Sequence, residues 1–168
     1  WALRSLEAHN QLTAGQPQKP YQALYGVVQG AQYEDLRRQS ARYLANLDFD
    51  GFGLGGALTK DGLGEIVGWM TDELPEEKPR HMLGISEPED IFICIENGAD
   101  TFDCVSPARV ARNGALYLPT GRFNITNRRY RDDFLPIQED CTCYTCQNYT
   151  RAYLHHLFRA NELLANTL

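Results

Sequence analysis

The sequence has no long apolar run. Nowhere does it hold the roughly 20 consecutive apolar residues of a membrane-spanning helix, so no membrane partner is expected. Its first residues show no basic segment followed by an apolar one, the pattern of a secretory signal. A nucleotide-phosphate loop is also lacking: Gly51, Gly53, Gly55 and Gly56 do not have the spacing of a G-x-G-x-x-G or Walker loop. Positive charge is in deficit. Sixteen Lys and Arg against 22 Asp and Glu leave a net charge of −6. That argues against electrostatic coating of a nucleic acid by the whole surface, while a local basic patch can still serve. Cysteine is sparse. Five are present, three of them within six residues, which fits a reducing, cytoplasmic setting and a metal better than a disulfide scaffold.

The apolar share, 43%, is that of a globular chain, and 168 residues suffice for one ordinary core. The chain starts at Trp1, enters a helical pattern at once, and reaches Leu168 inside another. The expectation is a piece of a longer protein.

A rhythm runs through the first two thirds. After a helix over residues 1–12 and a Gly/Pro/Gln linker at 15–20, short apolar strands alternate with amphipathic helices. Strands are expected at 24–30, 51–56, 81–85 and 101–105, and helices at 33–47, 63–74 and 87–96. In the 33–47 helix the near-periodic positions are Leu36, Ser40, Tyr43, Leu44 and Leu47. Continuous apolar strands alternating with helices predict a parallel sheet covered on both faces. Four units make half of an eightfold barrel, or a small open sheet. The rhythm then breaks. Residues 115–118 and 122–125, around Pro119-Thr120-Gly121, read as a hairpin. Residues 128–134 are short and polar. A cysteine loop follows, then one helix over 147–168 with Tyr153, Leu154, Leu157, Leu164 and Leu168 apolar. The division expected is 1–113 for the strand–helix units and 114–168 for an insertion stapled by metal.

In α/β folds of this kind, reactive groups gather at the C-terminal strand ends. Gln29, Gly55-Gly56, Leu83-Gly84 and Asp103 all fall there. A carboxylate ending an apolar strand is costly unless it is hydrogen-bonded or used. Asp103 is therefore either a cap or salt-bridge partner, or a nucleophile able to form a covalent sugar intermediate. Gln29 is either structural or a reader of a base edge. The double glycine is a simple turn, or lets a flat ligand approach the backbone. Arg109 and Arg112 follow Asp103, with Arg122, Arg128, Arg129 and Arg131 beyond and Tyr117, Phe123 and Tyr130 interleaved. Such a run is a solvated face or a set of phosphate contacts. Cys141, Cys143 and Cys146, as C-x-C-x2-C, suit thiolates converging on one tetrahedral ion, with zinc the usual occupant. His155 and His156 are further candidate ligands, although a helical histidine is more often a surface or packing residue.

Several motifs together resemble one family. They are Val28-Gln29-Gly30, Gly55-Gly56, the Leu74-Pro75-Glu76-Glu77-Lys78-Pro79 stretch, Phe102-Asp103-Cys104-Val105, Arg109-x2-Arg112-Asn113-Gly114, the cysteine run, and Tyr149-Thr150-Arg151-Ala152-Tyr153-Leu154-His155. Their order and separations resemble the C-terminal part of the bacterial tRNA-guanine transglycosylases, also called queuine tRNA-ribosyltransferases, over the whole of residues 1–168. The resemblance implies an α/β fold, the C-terminal half of a (β/α)8 TIM barrel with a zinc-binding insertion. It implies exchange of guanine at the wobble position of tRNA for a 7-deazaguanine, queuine or a precursor, through a covalent Asp-ribosyl intermediate. Asp103 then corresponds to the catalytic nucleophile. Gln29, Gly56 and Leu83 correspond to residues against the base, Arg109 and Arg112 to residues near the tRNA, and Cys141, Cys143 and Cys146 to three ligands of a structural Zn2+. The partners implied are tRNA with a wobble guanine, the 7-deazaguanine base and, in the full-length protein, a second copy forming a homodimer.

The family's fourth zinc ligand is a histidine placed beyond residue 168. Its second catalytic aspartate and base-stacking aromatic come from the first barrel half, so this chain alone is expected to be inactive. Leu83 stands where bacterial members commonly have methionine, Ala57 where leucine is common, and Ala108 where threonine is; the loop at 58–64 is shorter than usual. Two other readings use the same residues: a non-catalytic RNA-binding or partner subunit of this fold, and a small zinc-stabilised interaction domain without RNA. Retention of Asp103 favours the enzyme.

Overall fold

The computed structural model of the chain describes residues 1–16, 18–56 and 61–168. Contacts divide it into two units, Trp1–Cys104 and Val105–Leu168.

In the first unit, α1 (Ala2–Thr13) precedes a strict alternation. β1 (Tyr25–Val28), α2 (Glu34–Ala45), β2 (Gly51–Leu54), α3 (Leu63–Thr71), β3 (Arg80–Leu83), α4 (Pro88–Glu96) and β4 (Thr101–Asp103) follow in turn. The strands form one parallel sheet in the order β1-β2-β3-β4. The expected parallel α/β sheet is therefore present. Because the order never reverses and crossovers share one hand, the connecting helices belong on one side of the sheet. The register agrees. Val28, Leu54 and Met82 occupy one face across β1, β2 and β3. With Phe52 they are fully buried, in a cluster with Ala41 and Leu44 of α2, Ile66, Val67 and Met70 of α3, and Cys94 of α4. Each such large side chain contributes roughly 1.5–3 kcal/mol by leaving water.

The other face holds Tyr25, Val27, His81, Leu83, Thr101 and Asp103, set by the pairing of Tyr25 with Gly51, His81 with Thr101 and Leu83 with Asp103. Tyr25, Val27 and Leu83 remain 37%, 43% and 40% exposed. Coverage on both faces is thus not what the described residues show.

Helix α2 corrects one expectation. Leu36 and Tyr43 face solvent, and the buried positions are Arg37, Ala41 and Leu44. Arg37 wins the inward position because backbone carbonyls meet its guanidinium. Its Nε donates to Ala31 O at 2.7 Å and its Nη1 to Gly55 O. It ties the loop after β1 to the loop after β2. Burial pulls its pKa below the ordinary arginine value.

The second unit opens with α5 (Ser106–Ala111), a short helix with Pro107 in its first turn, a position that suits proline. It was not expected from the sequence pattern. The hairpin was: β5 (Ala115–Leu118) pairs antiparallel with β6 (Gly121–Asn124). A 3-10 turn at Arg128–Tyr130 is capped by Asn127, whose side chain accepts from Arg129 N. The single helix expected over 147–168 is instead three: α6 (Tyr144–Asn148), α7 (Arg151–Arg159) and α8 (Leu164–Thr167). Tyr149 turns extended after α6. Thr150 then starts α7, its Oγ1 accepting from Tyr153 N at 3.2 Å. Asn161, at φ 57, follows α7 in the left-handed region. Ile125, Tyr130, Ile137 and Leu154 form the core of this unit. Among the described residues no helix is long and apolar enough to cross a membrane.

Candidate active site and metal cluster

The alternation brings four of the sequence candidates to one edge of the sheet. Gln29 follows β1, Gly55 and Gly56 follow β2, Leu83 ends β3 and Asp103 ends β4. All are C-terminal ends of parallel strands, where backbone and side-chain groups converge. The glycines set how closely they converge. A Cβ on Gly55 would sit 2.9 Å from Val27 and 3.0 Å from Leu83. Gly56 has φ 86, and a Cβ there would come within 3.0 Å of Gln29 Oε1 and 3.2 Å of Arg37 Nη2. The backbone after β2 therefore runs directly beneath the Gln29 amide. An amide beside bare backbone is the kind of edge that a flat, hydrogen-bonding base can meet.

Asp103 is open, with 60% of its side chain exposed. Its Oδ1 lies 3.0 Å from His81 Nε2, and His81 Nδ1 lies 2.9 Å from Thr101 Oγ1. His81, not singled out in the sequence, stands two residues before Leu83 and so on the same sheet face. That alternation was the signal that could have found it. Arg37, the other residue missed, is hidden in the sequence by the apolar Leu36 beside it.

Arg109 lies on α5 and Arg112 just after it, both exposed and without an ion pair among the described residues. The structure groups them with the second unit, not with the strand-end residues.

The three clustered cysteines do come together. The Sγ atoms of Cys141, Cys143 and Cys146 all lie within 4.8 Å of one another. Cys143 caps α6, its Sγ accepting from Cys146 N at 3.5 Å. That backbone N–H, with the neighbouring thiols, holds the Cys143 thiol below its ordinary value, and burial pushes Cys146 up to about 11. Among the described residues no histidine joins the group. His155 is buried elsewhere, its Nδ1 donating to Ile125 O at 2.9 Å; His156 lines a separate cavity.

The family model described as Queuine tRNA-ribosyltransferase matches residues 1–168. The chain belongs to the queuine tRNA-ribosyltransferase family. It is 44% identical over 171 residues to the queuine tRNA-ribosyltransferase of Caldanaerobacter subterraneus subsp. tengcongensis, covering 100% of this chain and 44% of the relative. It is 46% identical over 165 residues to the protein of that name from Bacillus subtilis, covering 96% and 42%. The Lactococcus lactis protein of that name gives 46% over 165 residues, covering 96% and 41%. The chain spans less than half the length of these curated relatives.

Within this chain the departures noted in the sequence fall unevenly. Ala57 and the start of the 58–64 loop lie outside the described residues. Ala108 sits on α5. Leu83 is at the candidate edge itself, half-open beside Gly55, so a leucine rather than a thioether borders the slot.

Proposed function

We propose that this chain carries the nucleophile-bearing part of a tRNA-guanine transglycosylase, which replaces guanine at the anticodon wobble position with a 7-deazaguanine. The observation that carries the reading is the convergence of Gln29, Gly56, Leu83 and Asp103 on one strand-end edge in a chain of this family.

The Asp103 carboxylate attacks the ribose C1′. The C1′–N9 bond breaks, its electron pair leaves with guanine, and guanine takes up one proton. The 7-deazaguanine then attacks C1′ from the vacated side, loses one proton, and releases the carboxylate. Two displacements give net retention and a ping-pong order. Gln29 and the Gly56 backbone hold the edge of each base in turn, while Leu83 covers its plane. Arg109 and Arg112 contact the tRNA. The resemblance assigns a second catalytic aspartate to the part of the relatives that this chain does not span.

The uninterrupted strand order, the helices assigned to one side, and the open apolar residues opposite favour half of a (β/α)8 barrel for residues 1–113. A closed barrel would cover Tyr25, Val27 and Leu83 and place Asp103 at its mouth. Residues 114–168 form the insertion. Its three thiols suit zinc, since Zn–S bonds of about 2.3 Å at tetrahedral angles space sulfurs by about 3.8 Å, inside the observed spread. The ion would clamp the cysteine loop to α6 and take no part in the exchange. The resemblance extends this reading to a cytoplasmic homodimer.

The test is incorporation of labelled guanine into tRNA by the full-length protein containing this chain. Asp103→Ala abolishes it, and an active variant overturns the assignment. A wild-type protein that binds tRNA but never exchanges guanine supports the non-catalytic reading instead.

A further inference from the structure

A cavity of about 550 Å3 in the second unit belongs to none of the groups described so far. Its walls include Arg128, Arg131 and Asp132, after β6, and His155, His156 and Arg159, on one face of α7. The helical members recur at three- and four-residue spacing, which puts them on one stripe. Arg129, in the middle of the run, turns away to stack on Tyr130 at 4.6 Å.

Three features make this a site for a negatively charged ligand. Arg128, Arg131 and Arg159 have no ion pair among the described residues, whereas Arg38, Arg42 and Arg151 each meet a carboxylate. With three arginines and one carboxylate in its walls, the cavity holds an excess of two positive charges from these groups. Like charges gathered in a hollow repel one another unless an anion joins them. His155 is buried, and its Nδ1–H is spent on Ile125 O, so Nε2 is the ring nitrogen left for a ligand. The charge is also unequal along the chain. Residues 105–168 hold eight arginines against five acidic residues, a net of +3, while residues 1–104 carry −9.

We propose that this cavity binds the phosphodiester backbone of the tRNA; the proposal rests on the transglycosylase reading for the identity of the RNA. The volume is far larger than one inorganic phosphate requires and suits a stretch of chain. Among the described residues no Phe, Tyr or Trp lines it, so they offer no stacking platform for a base, and the cavity reads the backbone rather than the sequence.

The experiment uses the full-length protein, with Arg128→Gln, Arg131→Gln and Arg159→Gln singly and together, and tRNA affinity measured by anisotropy across a potassium chloride series. Each substitution weakens tRNA binding roughly tenfold, the worth of one charge-assisted contact. Each also flattens the dependence of log affinity on log salt by about one. The KM for tRNA rises, while kcat and the KM for guanine hold. Lysine at the same positions restores most of the binding, which separates charge from folding. Unchanged affinity and salt slope in the triple variant overturn the proposal. So does calorimetric binding of inorganic phosphate that the triple variant loses without any change in tRNA affinity, which marks a small-anion site. Because anisotropy needs no chemistry, a wild-type protein that binds tRNA here without exchanging guanine sinks the transglycosylase reading and leaves the cavity assignment standing.

Discussion

His81 Nε2 sits 3.0 Å from Asp103 Oδ1, with its Nδ1 2.9 Å from Thr101 Oγ1. The Asp103 carboxylate accepts from His81 Nε2, and His81 Nδ1 is hydrogen-bonded to the Thr101 hydroxyl. Three side chains on adjacent strands of one sheet face thereby fix which way the Asp103 carboxylate points. An attacking oxygen must be held in line with the bond that breaks.

The expectation is that His81→Ala in the full-length protein lowers kcat roughly 10- to 100-fold, the worth of one hydrogen bond to a charged group, with the KM for tRNA unchanged. His81→Gln, which can still present an N–H, recovers part of that loss. A merely structural histidine would move stability without this split between kcat and KM. Steady-state kinetics with thermal melts of each variant decide the matter, and equal losses for Ala and Gln count against the positioning role.

Gly56→Ala probes the base edge. The residue sits at φ 86, and its new Cβ would meet Gln29 Oε1 at 3.0 Å. The left-handed backbone costs about 1–2 kcal/mol for alanine, and the amide must shift. The predicted outcome is a raised KM for guanine and a lower unfolding midpoint, with tRNA affinity intact. Unaltered guanine kinetics would place the base elsewhere.

Much of this was legible in the residues because each signal was local. Short apolar strands alternating with amphipathic helices gave four units, and the Cys141–Cys146 spacing already pointed to converging thiols. What escaped depended on partners distant in sequence. Arg37 looks like a surface residue until Ala31 and Gly55 carbonyls close on it. His81 looks like an ordinary strand residue until β4 brings Asp103 beside it. The last helix read as continuous because its apolar spacing survives the breaks at Tyr149 and Asn161, which backbone geometry alone reveals. Helix α5 carries its start signal in Pro107, in its first turn, but is too short for an apolar periodicity to mark it.

The cysteine cluster predicts a metal-dependent second unit. Cys143→Ser removes a thiol that also caps α6, so zinc content measured by elemental analysis falls and the melting transition of residues 105–168 drops. Since thiols bind metal only after losing their protons, zinc is released as pH falls and retained as it rises. Full zinc occupancy in the variant would remove Cys143 from the ligand set.

Glu73 contributes to the acid stability of the first unit. Arg42 Nε and Nη2 donate to its two oxygens at 2.7 and 2.8 Å, and Arg38 Nη1 donates to Oε1 at 3.0 Å. These contacts, Arg42 foremost, hold the carboxyl below its ordinary 4.5 and join α2 to the chain just after α3. A depressed carboxyl favours folding while it is ionised. Its contribution is complete above the unfolded value near 4.5 and disappears as pH falls through the lower folded value. Glu73→Gln therefore unfolds at lower urea than the wild type at pH 7. The two curves draw together in acid, where the wild-type carboxylate is itself protonated. Urea midpoints across pH 7 to 2 test this, and a gap that stays constant into acid would show that the arginines stabilise the helix pair by packing rather than by charge.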